Sequence, residues 1–208
     1  MGALRRAADV DDLRWISGYI SVKEPHSPAL WWHTDWWCWD HPISFHREAA
    51  QLAVLTYLDD TRPDNGALRI LPYSHHRSAP IHALLPEAHR KSAEELRSDD
   101  PAMNDLPEGV TLALRPGDAV VIDYRLLHGT HPNSSAHRRD CVLLSFTPSW
   151  RRLPIELKSH LIQHPALPSE SERRAGSSSI APLLPPFDGA QTSVPLNRNA
   201  PPRFEIGD

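Results

Sequence analysis

The sequence predicts a mainly β protein, an antiparallel sandwich or jelly roll with few peripheral helices. Short runs of β-branched and aromatic residues recur along the chain, and turn formers such as Asp64-Asn65-Gly66, "RPGD" and "HPNSS" separate them. Just one segment has a convincing helical pattern. The 208 residues, 40% of them apolar, suffice for a single core, so one domain over residues 1–164 is expected, followed by a Pro- and Ser-rich extension over 165–208.

Taken in order, "WISGYISVK" alternates apolar with small or polar residues and predicts a strand near 15–23. "EPHSPA" breaks it. A second strand is expected over 30–37, and a third, well buried, over 51–60, "QLAVLTYLDD". The Asn-Gly turn then leads to a return strand over 67–71. "HALLPEAHRKSAEELRSDD" carries the helix candidate, near 87–98, as an excursion from the sheets. Beyond it, "GVTLALRPGDAVVIDYRLLHG" and "RRDCVLLSFTP" supply the remaining strands, with "AVVIDYRLL" read as a buried strand ending at His128. The extension, rich in Pro and retaining "PLLPPF", is expected to run extended over the domain surface as a flap.

Charge and composition exclude several functions. A formal charge of −4 with no basic stripe argues against nucleic acid, and no apolar run long enough to span a membrane is present. Two cysteines, Cys38 and Cys141, are too few for a disulfide framework and suit a reducing, cytoplasmic compartment as free thiols.

The chemistry concentrates in "WWHTDWWCWD", residues 31–40, which hold five of the seven Trp. In a strand, residues i and i+2 share a face, so His33 and Asp35 project together, two-thirds of a facial triad for a ferrous ion. His46 and Glu48 repeat the spacing in a context that is not strand-like. His128, directly before Gly129, is the third candidate ligand, with His131 as its neighbour and competitor. Arg139 favours His128: it lies eleven positions on and opens the next apolar strand, where a buried guanidinium requires an anionic partner. A small dicarboxylate provides one, its far carboxylate pairing bidentately with Arg139. Singly, His33, Asp35 and His128 are each better read as hydrogen-bonded structural side chains; the combination, with Arg139 in register, points to a metal.

These blocks make the chain similar to the phytanoyl-CoA dioxygenase family of Fe(II)/2-oxoglutarate-dependent oxygenases, roughly from Ile16 to Pro148. "WWHTD" resembles the family's His-x-Asp element and "YLDDTRPDNGALRILPYSHH" its acidic, Asn-Gly and Pro-x-Ser-His stretch. "GDAVVIDYRLLHGTHPNSSAHRRD" resembles its distal element. The resemblance implies a double-stranded β-helix, a cupin-like jelly roll. It also implies iron ligands His33, Asp35 and His128, with Arg139 and Thr130 on the remote carboxylate of 2-oxoglutarate and Tyr19 as a further co-substrate contact. The cofactors implied are Fe(II), 2-oxoglutarate and O2. The implied reaction hydroxylates a small metabolite or natural-product intermediate, with desaturation or further oxidation as variants of the same chemistry, and releases succinate and CO2. Asp35 disfavours halogenation, since related halogenases lack this carboxylate. Two departures stand out. Tyr73 replaces the usual Gly of Pro-Gly-Ser-His, and the segment before Ile16 is much shorter than in typical members, as in an N-terminally shortened form.

Strand parity assigns Trp31 and Trp37 to the iron side, as substrate contacts together with Trp39 in the following loop, and turns Trp32 and Trp36 toward core. His75 is expected to be structural, and the remaining histidines, His160 and His164 among them, to be solvent-facing. Cys38 and Cys141 read as small buried hydrophobes; if Cys141 shares the inward face with Arg139, it lies near the co-substrate and is open to oxidation. The rival readings are a cupin-like metalloenzyme that uses the same three ligands without 2-oxoglutarate, and a non-catalytic module whose Trp cluster holds a ring-shaped ligand.

Overall fold

A computed structural model describes residues 12–86, 96–97, 99–169, 171–172 and 180–207. Eight strands form two antiparallel sheets. The larger has the order β1-β8-β3-β6, from Arg14–Lys23, Arg139–Thr147, Leu52–Tyr57 and Ala119–Asp123; the smaller is β2-β7-β4-β5, from Leu30–His33, His128–Thr130, Leu68–Ile70 and Val110–Thr111. This is the expected mainly β class. The helix expected over 87–98 lies outside the described residues apart from residues 96 and 97.

The larger sheet is long and regular. β8 reads RDCVLLSFT, its β-branched and aromatic residues suit a pleated surface, and alternate side chains from Arg139 and Cys141 to Leu143 and Ser145 are buried. β1 and β3 flank it, pairing Lys23 with Arg139 and Tyr57 with Cys141. Between the sheets, Leu55, Tyr57 and Leu143 from the larger meet Leu68 from the smaller, together with Trp36, Trp37 and Trp39. At ~25 cal/mol per Å2 of apolar area, these large rings are a major share of the hydrophobic stabilisation. A second cluster, Trp32 with Leu71, Ile81 and Leu127, packs separately.

Three sequence expectations change. "AVVID" is an edge strand with Ala119 and Val121 exposed, because its outer neighbour is solvent rather than another strand. His128 does not end that strand. A turn held by Arg125 on Asp123 at 2.7 Å intervenes, and His128 opens β7 in the other sheet. Finally, a helix absent from the expectation, α1 (Ile155–Leu161), starts after Pro154 and buries Leu157 and Leu161 on one side.

Described residues after Ile180 contact α1, the Trp-rich segment and their neighbours. Pro186 accepts from the Trp150 indole at 2.9 Å, Thr192 and Ala190 accept from Ser159, and Asn197 forms a parallel bridge with Cys38. Phe204 lies against Trp39 and Phe45.

Tyr73 has φ 64°, the left-handed conformation that favours glycine. The backbone thus adopts the turn that suits the family's Gly, at a cost of about 1 kcal/mol for a side chain there.

Candidate metal centre and adjoining cavity

His33 and His128 face each other across the β2–β7 pair, with ring centroids 4.3 Å apart. The approach is close because Gly129 separates the strands by backbone alone: a Cβ there would meet the Leu30 and Trp31 carbonyl oxygens at 2.7 and 2.9 Å. Each imidazole is oriented by the carbonyl two residues before it. Nδ1 of His33 donates to Trp31 at 2.9 Å and Nδ1 of His128 to Leu126 at 3.0 Å. A carbonyl can only accept, so both rings carry their proton on Nδ1 and present Nε2 as the lone-pair donor.

Asp35 lies beyond the end of β2, so its position is not the product of strand parity. The amides of Asp35 and Trp36 both donate to the Tyr124 carbonyl at 2.9 Å, which swings the chain under the two imidazoles. The carboxylate then stands 3.7 Å from Nε2 of His33 and 3.6 Å from Nε2 of His128. The three ligand atoms lie within 4.8 Å of one another, and among the described residues this is the group of His, Cys, Asp and Glu arranged to hold a metal ion. Two imidazole nitrogens and one carboxylate oxygen are a suitable donor set for a first-row transition metal. His131 is elsewhere engaged, by Thr111 at 2.7 Å, and His46 and Glu48 are exposed.

Arg139, on β8, is 3% exposed and lies over the Tyr57 ring at 5.1 Å. The carboxylates that could have neutralised it are taken: Asp140 pairs with Arg138 at 2.8 Å and Asp123 with Arg125. Among the described residues Arg139 has no ion pair, and its Nε is a buried donor with no hydrogen-bond partner. Thr130 Oγ1 is likewise buried and without one. Lys23, opposite Arg139 in the register, has its pKa lowered to about 8 by burial and by the positive charges of Arg139 and Arg69. An interior with surplus positive charge and orphaned donors is arranged for an anion.

A cavity of about 440 Å3 opens beside Asp35. Ser17 and Tyr19 from β1, Trp37, Gln51 and Tyr124 form its inner wall. Tyr19 is exposed toward it, yet the protein around the phenol and the Asp35 charge push its pKa up to about 12. The Trp37 indole donates to Gln51 at 2.8 Å, and Gln51 donates to Ser145 at 2.7 Å, so this wall is hydrogen-bonded from behind.

The five Trp of the cluster do not form a clamp. Trp32 and Trp36 are core, as parity predicts, and Trp37 lines the cavity. Trp31 is half-buried, 5.9 Å from the His33 ring, and is not among the residues lining the cavity. Trp39, expected in contact with substrate, is 1% exposed and packed against Phe204 at 5.2 Å, because the C-terminal extension covers it. Cys141 is buried as expected; burial pushes its thiol up to about 11, partly offset by Arg139, which disfavours the reactive thiolate.

Two histidines expected in solvent are instead wall residues. His160, in the last turn of α1, and His164, three residues past its end, line the cavity, and His160 stacks on Trp37 at 4.6 Å and 24°. Arg198 from the extension completes this side. No helical spacing signalled the pair, since His164 lies past the end of the helix.

Among the described residues, two antiparallel sheets with a His-Asp-His constellation define a class, mainly β proteins with a candidate site for one metal ion. The chain belongs to the phytanoyl-CoA dioxygenase family: residues 2–141 match the family profile described as Phytanoyl-CoA dioxygenase (PhyH). It is similar to a probable alpha-ketoglutarate-dependent hypophosphite dioxygenase of Stutzerimonas stutzeri, 29% identical over 136 residues, covering 65% of this chain and 46% of that protein. It is also similar to an ectoine dioxygenase of Nocardia farcinica, 26% identical over 162 residues, covering 74% and 51%. The chain therefore spans about half the length of the curated relatives it matches. Among solved structures, apo HygX from Streptomyces hygroscopicus shares the fold at TM-score 0.51 and 20% identity, over 72% of this chain and 69% of that one.

Proposed function

We propose that this protein is an Fe(II)/2-oxoglutarate-dependent dioxygenase that hydroxylates a small metabolite. The observation that carries the reading is a buried cation without a carboxylate partner, Arg139, in the same interior as the converging His33, Asp35 and His128. A metal site alone would suit many enzymes. The orphaned donors on Arg139 and Thr130 add a demand for a second, anionic guest, and a dicarboxylate that also reaches the metal meets both.

In this reading His33, Asp35 and His128 hold the iron on one side, and the Trp31 and Leu126 carbonyls keep both imidazoles in the ligating tautomer. Arg139 and Thr130 take the remote carboxylate, with Tyr57 under the guanidinium and Lys23 adding positive charge nearby. Tyr19, at the cavity wall, is a further contact for the co-substrate. When bound, iron and 2-oxoglutarate activate O2 to oxidise a C–H bond, with release of succinate and CO2. The chain's own contribution is placement and exclusion of water: Trp37, Tyr124 and Leu161 wall the cavity beside Asp35 and leave room for a small molecule. The likeness to relatives named for hypophosphite and ectoine supports a small-molecule substrate.

No helix among the described residues is long and apolar enough to cross a membrane. Two buried free thiols, Cys38 and Cys141, favour a reducing, cytoplasmic setting.

Adding Fe(II) and 2-oxoglutarate without oxygen tests the reading. A weak visible charge-transfer band is expected from the chelate in the wild-type protein and none from His33→Ala; a wild type without the band, or a variant that keeps it, defeats the assignment.

A further inference from the structure

The C-terminal extension brings a charged residue to the cavity that has no counterpart in the metal or co-substrate sets. Asn197 is clamped to the Trp-rich segment: its amide donates to Trp37 at 2.9 Å, its carbonyl accepts from Trp39 at 3.0 Å, and its side chain donates to Asp40 at 2.7 Å. These bonds fix the next residue, Arg198. It lines the large cavity together with Asp35, and also a smaller one of about 30 Å3 lined by His33 and Thr34. Arg198 thus shares one cavity with Asp35 and another with His33.

Its charge is uncommitted. Arg198 is half-buried, and among the described residues it forms no ion pair or hydrogen bond. Asp35 is the one carboxylate among the residues lining the large cavity, and it is turned toward His33 and His128. Across the same wall, Nδ1 of His160 is buried without a partner, while the ring is held flat against Trp37. His160 protonates less readily than an ordinary imidazole, chiefly through burial and then through the Arg198 and His164 charges. A neutral nitrogen donor next to a permanent guanidinium fork can hold an oxyanion from two directions.

We propose that Arg198, with His160 beside it, anchors an oxyanion group of the substrate, and that the substrate is a small organic acid held by its carboxylate. This rests on the proposed function for its metal-side wall. Holding the acid group at Arg198 leaves the rest of a small molecule to extend along Trp37 toward Asp35, which orients one C–H bond relative to the metal site. A neutral substrate would leave the guanidinium without a partner when the cavity fills.

The experiment is arginine footprinting with phenylglyoxal on the Fe(II)- and 2-oxoglutarate-loaded protein without oxygen, read at Arg198 by mass spectrometry. The probes are a panel of small amino and hydroxy acids, each with its primary amide and its phosphonate analogue, against a baseline of 2-oxoglutarate alone. At least one acid is expected to slow modification of Arg198 by roughly tenfold while its amide does not. Stronger protection by a phosphonate keeps the oxyanion site and reassigns its source. Protection by none of the panel, or equal protection by acids and amides, overturns the proposal. For the protecting compound, Arg198→Gln should weaken binding by about tenfold, read by quenching of tryptophan fluorescence, and Arg198→Lys should restore part of it. Unchanged affinity in Arg198→Gln also overturns it. The charge-transfer band recorded on each variant separates a lost oxyanion contact from a collapsed metal site, and its absence from the wild type would count against the dioxygenase reading instead.

Discussion

The two sheets differ in length and in duty. The larger has strands of up to ten residues, with β1 and β8 in register from Lys23–Arg139 to Trp15–Phe146 apart from one irregularity. The smaller has strands of two to four residues, and β2 slips in register against β7 between Leu30 and His33. Yet the smaller sheet carries both imidazoles. A directly opposed pair on a ladder brings two side chains together, whereas the third ligand of one ion has to come from the chain beyond a strand end. The long sheet supplies stiffness and places Arg139; the short one supplies the curvature that gathers His33, Asp35 and His128.

Deleting one element from each sheet breaks this comparison most sharply. His128→Ala should abolish the anaerobic charge-transfer band and turnover at any concentration of 2-oxoglutarate, since two ligands remain. Arg139→Met should instead leave a band that forms only at much higher 2-oxoglutarate, with apparent affinity lowered on the order of 100-fold, as for loss of a buried charge partner. If the Arg139 variant binds 2-oxoglutarate like wild type in a titration of that band, the long sheet does not hold the co-substrate.

The two close-packed glycines sharpen it. A Cβ at Gly129 meets backbone oxygens at 2.7 and 2.9 Å, while one at Gly18 on β1 meets the end of the Leu144 side chain at 2.7 Å and a carbonyl at 3.1 Å. Side-chain ends can move and ladder carbonyls cannot without separating strands. Gly129→Ala should therefore cost about 1–3 kcal/mol in denaturant unfolding and weaken metal binding by calorimetry, and Gly18→Ala should cost less and leave metal affinity alone.

A smaller effect lies in the loop after β4. Tyr73 pays for its left-handed φ of 64° with no compensating burial, being 66% exposed, so Tyr73→Gly should raise stability by about 1 kcal/mol. A lower midpoint for this variant in thermal unfolding would argue that the exposed ring packs on something in solution.

The smallest effect is with pH. His75 and His82, which follow the smaller sheet's β4, protonate less readily in the fold than the usual value of 6.5, both chiefly through burial. The unfolded chain then binds more protons than the native one below that value, so stability is complete above pH 6.5 and declines as pH falls below it. Replacing His82 with Asn should flatten part of this decline in melting temperature recorded from pH 7.5 down to about 5.

Much of this site was legible in the chain. "WWHTD", "LLHG" and the Arg at the head of "RDCVLLSF" are legible because each is short and its residues stay close in space whatever the path of the chain around them. What failed has a common cause. Residues 34–37 were read as strand, but Asp35 is set by a bond to the Tyr124 carbonyl, a partner 89 positions away. Trp39 looked available in a loop, and the extension covers it with Phe204. His160, His164 and Arg198 reach the cavity through α1, the turn after it and the extension, which carry no motif pointing to it.

By itself, then, the sequence determined the β-rich class, the identity of the His, Asp and Arg side chains and the spacing within each motif, because these depend on residues near one another. Only the tertiary structure decided that Asp140 and Asp123 pair with Arg138 and Arg125 rather than with the buried Arg139, and that His33 and His128 meet across Gly129. It alone brought Arg198 to the cavity that Asp35 lines. These are relations between segments far apart in the chain, and no local pattern encodes which distant charge will be neutralised or which wall a tail will complete.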